Sequence, residues 1–202
     1  MKQEEKLGIL LAVNTGKPVP VLHGRQEVQT GIFKTTVDGP VRAAVNGLPG
    51  DGQADTVNHG GPDKAICVYS RSHWEHWERE WGEPPAFGAF GENFTITGGA
   101  EEDIGIGDII RVGEAVAQVS QPRLPCFKLG LKHGRPELPG QVLESGRTGY
   151  YFRVLEEGAV QAGDTLTRAS QFARLAPRLT SLYFPGKRKK LQEYFESDKP
   201  FR

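Results

Sequence analysis

The stretch GDIIRVGEAVAQVSQPRLPCFKLG, Gly107 to Gly130, decides how this chain folds. IIRV and AVAQVS are short, β-branched and apolar, and the Val-Gly-Glu between them is a tight reversal. Together they predict a hairpin of two strands. The hairpin runs into SQPRLPCFKLG, which holds Cys126, one of two cysteines in the chain. Pro125 has a fixed φ and no N–H to give to a ladder, so PCFKLGLKHG is expected to open as a strand start or edge that presents the thiol at a rim.

Working outward, GILLAVN (Gly8 to Asn14) predicts a first strand and QTGIFKTTV (Gln29 to Val37) a second. KAICVYS (Lys64 to Ser70) predicts a compact buried strand that contains Cys67, and TGYYFRVLEEG with AVQAGDTLTR predicts a second hairpin. The clearest helix is SRSHWEHWEREWG, where Trp74, Trp77 and Trp81 share one face. Ser72 with Glu75 has capping-box spacing, and Gly82 can end the helix. The tryptophans are expected in a core. A short helix is expected near Pro136 to Glu144. The fold class is therefore mainly β with some α, plausible as a barrel over 1–168, followed by a short basic helical extension over 169–202.

The 202 residues, 37% apolar and 25% charged, fit one compact domain. The 26 glycines and 14 prolines favour frequent reversals over a helical bundle. Net charge is zero but uneven: residues 168–202 hold nine Lys/Arg against three Asp/Glu. The KRKK run at Lys187 to Lys190 reads as a solvated helix face, and a nucleic-acid partner is not expected. No apolar run is long enough for a membrane span. MKQEEKLGILLAVN reads as a strand and not a signal peptide, so two free thiols in a reducing cytoplasm are expected.

Several residues can carry chemistry. Arg123 and Lys128 flank Cys126, and nearby cations favour a thiolate that attacks electrophiles or binds soft metals. The alternative is a small buried hydrophobe, which is the expectation for Cys67. In NHGGPDKA (Asn58 to Ala65), Gly60 and Gly61 free the backbone for an anion nest, with His59 and Lys64 beside it. The alternative there is a plain turn before a strand. Lys34 and Arg71 would serve as anion ligands if their strands converge. There is no CxxC or HExxH for zinc.

Five segments, GLPGDGQAD, HGGPDKAICVYSRSHW, FGENFTI, GDIIRVGEAVAQVSQPRLPCFKL and GYYFRVLEEGAVQAGDTL, occur in this order and closely resemble the MOSC domain, named for the C-terminal domain of molybdenum cofactor sulfurase. HGGPDKA with SQPRLPC is similar to the stand-alone bacterial YiiM-type subgroup. The resemblance implies a β-barrel and binding of the molybdenum cofactor in its molybdopterin form. It implies a cysteine thiolate that ligates molybdenum or carries sulfur, at the position of Cys126. It also implies reduction of N-hydroxylated compounds of the hydroxylaminopurine type. The cofactor's phosphate would then fall to Lys34, Arg71, Arg123 and the His59-Gly60-Gly61 turn with Lys64, with Asn93 in the pocket. Whether Arg71, Arg123 or Arg147 is the third cation stays open. No flavin or nicotinamide fingerprint is present, so electrons would come from a partner reductase; a homodimer is left open. The subgroup's barrel is usually followed by three helices, whereas 34 residues follow Arg168 here, so that region is expected to be shortened or divergent. The alternatives are a non-catalytic carrier of cofactor or sulfur and a metal-free cysteine nucleophile.

Overall fold

The computed structural model describes residues 5–55 and 59–170. The extension expected beyond Ser170, including Lys187 to Lys190, lies outside the described residues. In chain order the strands are β1 (Glu5–Thr15), β2 (Val19–His23), β3 (Gln26–Thr30), β4 (Thr35–Val37), β5 (Val41–Ala43), β6 (Ile66–Ser70), β7 (Phe94–Ile96), β8 (Ile109–Val112), β9 (Ala115–Pro122), β10 (Tyr150–Glu156), β11 (Gly158–Val160) and β12 (Thr165–Ser170). The helices are α1 (Trp74–Trp81), α2 (Phe127–His133) and α3 (Leu138–Ser145).

Seven strands close into a barrel in the order β12, β8, β9, β10, β6, β7, β1, with β12 pairing back onto β1. Closure leaves those strands no free edge. β1 shifts register at Lys6/Gly8 and Leu10/Ala12, so one strand serves β12 at its start and β7 and β4 at its end. β6 and β7 pair in parallel. Two small sheets, β2 with β3 and β5 with β11, lie outside the ring.

Period-two alternation sorts side chains between two cores. Ile66 and Val68 of β6, Ala117 and Val119 of β9, and Tyr150 and Phe152 of β10 point into the barrel with Leu10, Phe94, Ile96 and Ile110. Each large apolar side chain buried there stabilises the fold by about 1.5–3 kcal/mol. Tyr69, on the other face of β6, joins Trp77, Phe90, Leu129, Leu138 and Val142 in a second core beneath the three helices. Tyr69 stacks on Phe90 at 4.1 Å, and Trp77 Nε1 donates to Tyr69 Oη at 2.6 Å. Trp77 is the core residue expected of the three tryptophans, while Trp74 and Trp81 are partly buried and pack against this cluster.

Four local expectations are corrected. PCFKLGLKHG is a helix: Cys126 is extended, at φ −118° and ψ 171°, and α2 follows at once. Leu129 and Gly130 turn inward there, and Gly134, left-handed at φ 62°, stops the helix. QTGIFKTTV is divided, because the chain leaves β3 at Thr30 and re-enters the sheet only at Thr35. The predicted second hairpin does not form: β10 pairs with β9 and β6, β11 with β5, and β12 with β8 and β1. Ser72 does not cap α1, because a 3-10 turn over Arg71–His73 precedes it and Ser72 Oγ is bonded to Ser70 Oγ at 2.9 Å. Gly82 ends α1 as expected.

Candidate functional site

The alternation that fills the barrel also builds a floor outside it. Cys67 and Tyr151 are direct cross-strand partners on β6 and β10, pointing away from the barrel core. They line a cleft of about 630 Å³, open mouth included. One wall is the Thr30 to Lys34 segment and a second is Gly52 to Asp55. The two meet closely: a Cβ on Gly31 would lie 2.2 Å from the Gly52 carbonyl oxygen, so no larger residue fits at position 31. His59 and Lys64 form a third side, and Arg123, Leu124, Cys126 and Lys128 complete the rim.

Each wall is fixed by polar contacts. The 3-10 turn Pro62–Lys64 is held down by Ser120 Oγ, which donates to the Asp63 carbonyl at 2.5 Å, and by an Arg153–Asp63 ion pair at 3.2 Å. The backbone N–H of Arg123 donates to Gly149 O at 3.0 Å, so β9 hands directly into the cysteine segment. At its far end α2 is tied down by Lys132, whose Nζ donates to the carbonyls of Ile32 at 3.2 Å and Gly88 at 2.5 Å.

Beneath the cleft, Asp51 is a hub. Its carboxylate pairs with Lys34 Nζ and accepts from Gly16 N at 2.9 Å and Asn93 Nδ2 at 2.9 Å. Asn93 Oδ1 in turn accepts from Cys67 N at 3.0 Å, linking this hub to the floor.

The electrostatics are set by burial and a cluster of cations. Burial pushes the Cys67 thiol up to about 11, against the pull of Arg123, so it stays protonated. Burial also raises the Tyr151 phenol, which is hydrogen bonded with the Arg123 guanidinium. Arg123 keeps its charge despite its burial among Cys67, Tyr151 and Cys126. His59 is lowered by burial and by Lys128, Lys64 and Arg123, against the opposing pull of Asp55. Lys64 is likewise lowered by burial. Both cysteines are free, and Cys126 is partly exposed.

Of the residues singled out in the sequence, Lys34, His59, Lys64, Asn93, Arg123 and Cys126 come together at this cleft. Gly60, Gly61 and Arg71 do not line it. Gly60 and Gly61 only shape the turn, and Arg71 is exposed, 5.2 Å over the Trp74 ring. Arg147 is engaged with Ser145 O at 3.3 Å, and of the three arginines Arg123 lines the cleft. Sequence reasoning passed over Tyr151 and Asp51; Cys67 is buried, as expected, and also borders the cleft. The alternation Ile66-Cys67-Val68-Tyr69 was the signal for Cys67: it shares a face with Tyr69, not with the barrel core. Among the described residues, no group of three or more His, Cys, Asp or Glu side chains could hold a metal ion. His73 is spent on Glu101, at 2.6 Å, and is no ligand with His76. No helix among the described residues is long and apolar enough to cross a membrane.

Residues 55–167 match the family described as MOSC domain. Among curated proteins, the chain is 47% identical over 171 residues to the uncharacterized protein YflK of Bacillus subtilis strain 168, covering 85% of this chain and 76% of that one. It is 36% identical over 168 residues to a protein of Gibberella moniliformis named reductase, covering 80% of this chain and 29% of that one. Its fold superposes on the crystal structure of YiiM from Geobacillus stearothermophilus with a TM-score of 0.74 at 35% identity, covering 94% of this chain and 91% of that one. The five ordered segments, the closed barrel and these matches agree, and the chain belongs to the MOSC domain family, in its YiiM-type subgroup.

Proposed function

We propose that the cleft binds the molybdenum cofactor in its molybdopterin form and that the protein, in the cytoplasm, reduces N-hydroxylated compounds with electrons from a partner reductase. The carrying observation is that Cys126, a partly exposed thiol, shares one cleft with Lys64, Arg123 and Lys128. This donor set fits the group. One partly exposed soft thiol suits a metal that arrives with its own sulfur ligands, and the cations suit a phosphate. The absence of a three-ligand cluster among the described residues argues against a site for a bare ion.

When bound, the cofactor supplies two-electron removal of oxygen, so that R–NHOH with two electrons and two protons gives R–NH2 and water. The chain's own residues do the rest. Cys126 would hold the metal through its sulfur. Arg123 stands beside Cys67, Tyr151 and Cys126 and brings a buried cation to the sulfur at the rim. Tyr151, kept protonated, is a hydrogen-bond donor at the floor, and His59, kept neutral near pH 7, can take or give a proton at the mouth. The Gibberella reductase, of which this chain covers 29%, supports reduction as the reaction class.

The test is the molybdenum and pterin content of protein purified from cells that overproduce the cofactor, wild type beside Cys126→Ser. Molybdenum at about one per chain in the wild type, lost in the variant, together with reduction of a hydroxylamine when electrons are supplied, supports the reading. Cofactor bound without turnover points to a carrier. No molybdenum in either protein overturns the reading and leaves Cys126 as a bare thiol.

A further inference from the structure

We propose that the β2–β3 hairpin is a strap hinged at one wall of the cleft, and that His23, stacked on Phe127, is the latch that decides how large a molecule reaches Cys126. The inference concerns entry to the cleft, not what binds inside it, so it stands apart from the proposed function and its test needs no metal.

The register of the hairpin separates its two faces. Val19 opposes Thr30, Val21 opposes Val28 and His23 opposes Gln26, so these side chains share one face. Pro20 with Gln29 and Leu22 with Glu27 share the other. That second face is turned to water: all its residues are exposed, Leu22 at 71%. The first face meets the protein, but incompletely. Thr30 is buried and the His23 ring stacks on Phe127 at 5.1 Å, whereas Val21 and Val28 are only half-buried and Val19 is exposed.

The way the hairpin is fastened lets it move as a strap. β2 and β3 pair with each other and with no other described strand. A two-stranded hairpin by itself is marginally stable in water. Its base is fixed: Gly16 N donates to Asp51 Oδ1 at 2.9 Å, Gly52 N to Gly16 O at 3.2 Å, and Ile32 N to Thr30 Oγ1 at 3.2 Å. Thr30 belongs to the cleft lining, so the strap starts at that wall. Its tip ends at the cysteine rim, because Phe127 directly follows Cys126. Between these two ends no hairpin residue lines the cleft. The mouth is therefore bridged but not sealed. Apolar side chains stand on both sides of it: Val19, Val21 and Val28 on the strap, Leu124 and Phe127 on the rim, the last two 46% and 48% exposed. Closing the strap onto the rim takes these groups out of water, and releasing the latch lets the strap swing out about its base.

The experiment measures alkylation of Cys126 in the full chain at one fixed pH, read by peptide mass spectrometry. Iodoacetamide is the small reagent and fluorescein maleimide the bulky one. The small reagent passes the bridged mouth, while the bulky one needs the strap released. His23→Ala should speed the maleimide reaction by about fivefold, the order expected for losing one aromatic stack, and leave iodoacetamide within about twofold of wild type. His23→Phe keeps a ring on Phe127 and should restore the wild-type ratio of the two rates. Leu22→Ser, on the outer face, should change neither rate. In the wild type, amides of β2 and β3 should exchange with solvent at least about tenfold faster than those of β6. Circular dichroism checks that each variant is folded. The proposal is overturned if His23→Ala leaves the maleimide rate unchanged. It is also overturned if His23→Ala speeds both reagents equally, since that means an altered thiol and not an opened mouth. Leu22→Ser acting like His23→Ala, His23→Phe failing to restore the ratio, or hairpin amides as protected as those of β6 would each sink it as well.

Discussion

Cys67 and Tyr151 face each other in direct antiparallel register on the outer face of the barrel, and both border the cleft that holds Cys126. Two thiols thus share one cleft in opposite states of exposure.

The first prediction concerns their reactivity. With its pKa pushed up to about 11, Cys67 is thiolate in only about one molecule in a thousand at pH 8. Iodoacetamide should label Cys126 more than about tenfold faster than Cys67, read by peptide mass spectrometry in the native protein. Equal rates would show that the floor is open and the burial of Cys67 is wrong.

The Lys34–Asp51 pair should behave as a structural unit. Asp51→Ala strands a buried ammonium and loses four bonds at the hub, and it should cost about 3–5 kcal/mol in denaturant unfolding. Lys34→Met/Asp51→Leu leaves no charge unpaired and should cost less than Asp51→Ala alone. A double variant worse than the single would mean that the pair contributes net stability.

Trp77 and Tyr69 offer a cleaner measurement, because the 2.6 Å bond between them lies inside the second core. Trp77→Ala should destabilise by about 3–5 kcal/mol through the cavity it leaves. Tyr69→Phe should cost about 1–3 kcal/mol by orphaning the indole N–H. In a double-mutant cycle with Trp77→Phe the two costs should fail to add, and simple additivity would deny the bond.

Lys132 predicts a pH dependence. Burial lowers it to about 8 in the folded protein, with Glu92 opposing and Lys34 and Arg123 adding to the shift. Unfolded, a lysine keeps its proton until about 10.4. Between these values the unfolded chain binds more protons, so stability from this group rises with pH. Wild type should gain up to about 3 kcal/mol on Lys132→Met between pH 8 and 10, measured by urea unfolding at each pH. A constant difference would show that Lys132 titrates normally.

How much of this was legible in the sequence depended on whether the signal was local. Trp74, Trp77 and Trp81 repeat on one helical face, and the β8–β9 hairpin carries its own turn, so both were readable. The partners of β10, β11 and β12 were not, because barrel closure joins Glu5 to Arg168 across nearly the whole described chain and leaves no mark on neighbouring residues. α2 was misread because Pro125 and an apolar run imitate a strand start. The opposing evidence, Gly134 as a left-handed stop seven residues after Phe127, was present. At the cleft, Cys126 and Arg123 announced themselves by chemistry. Asp51 did not, since an aspartate among glycines in GLPGDGQAD looks like any turn, and only the tertiary fold sets it under Lys34.

The barrel interior is filled with side chains, and the cleft lies outside it on strands whose other face is that interior. The two faces of β6 can therefore be rewritten separately. A library that varies Gln53, Ala54, Leu124 and Lys128 on the rim would retailor what enters the cleft while Ile66, Val68 and Phe152 go on holding the barrel shut. The scaffold is a workbench whose tools can be exchanged without taking the bench apart.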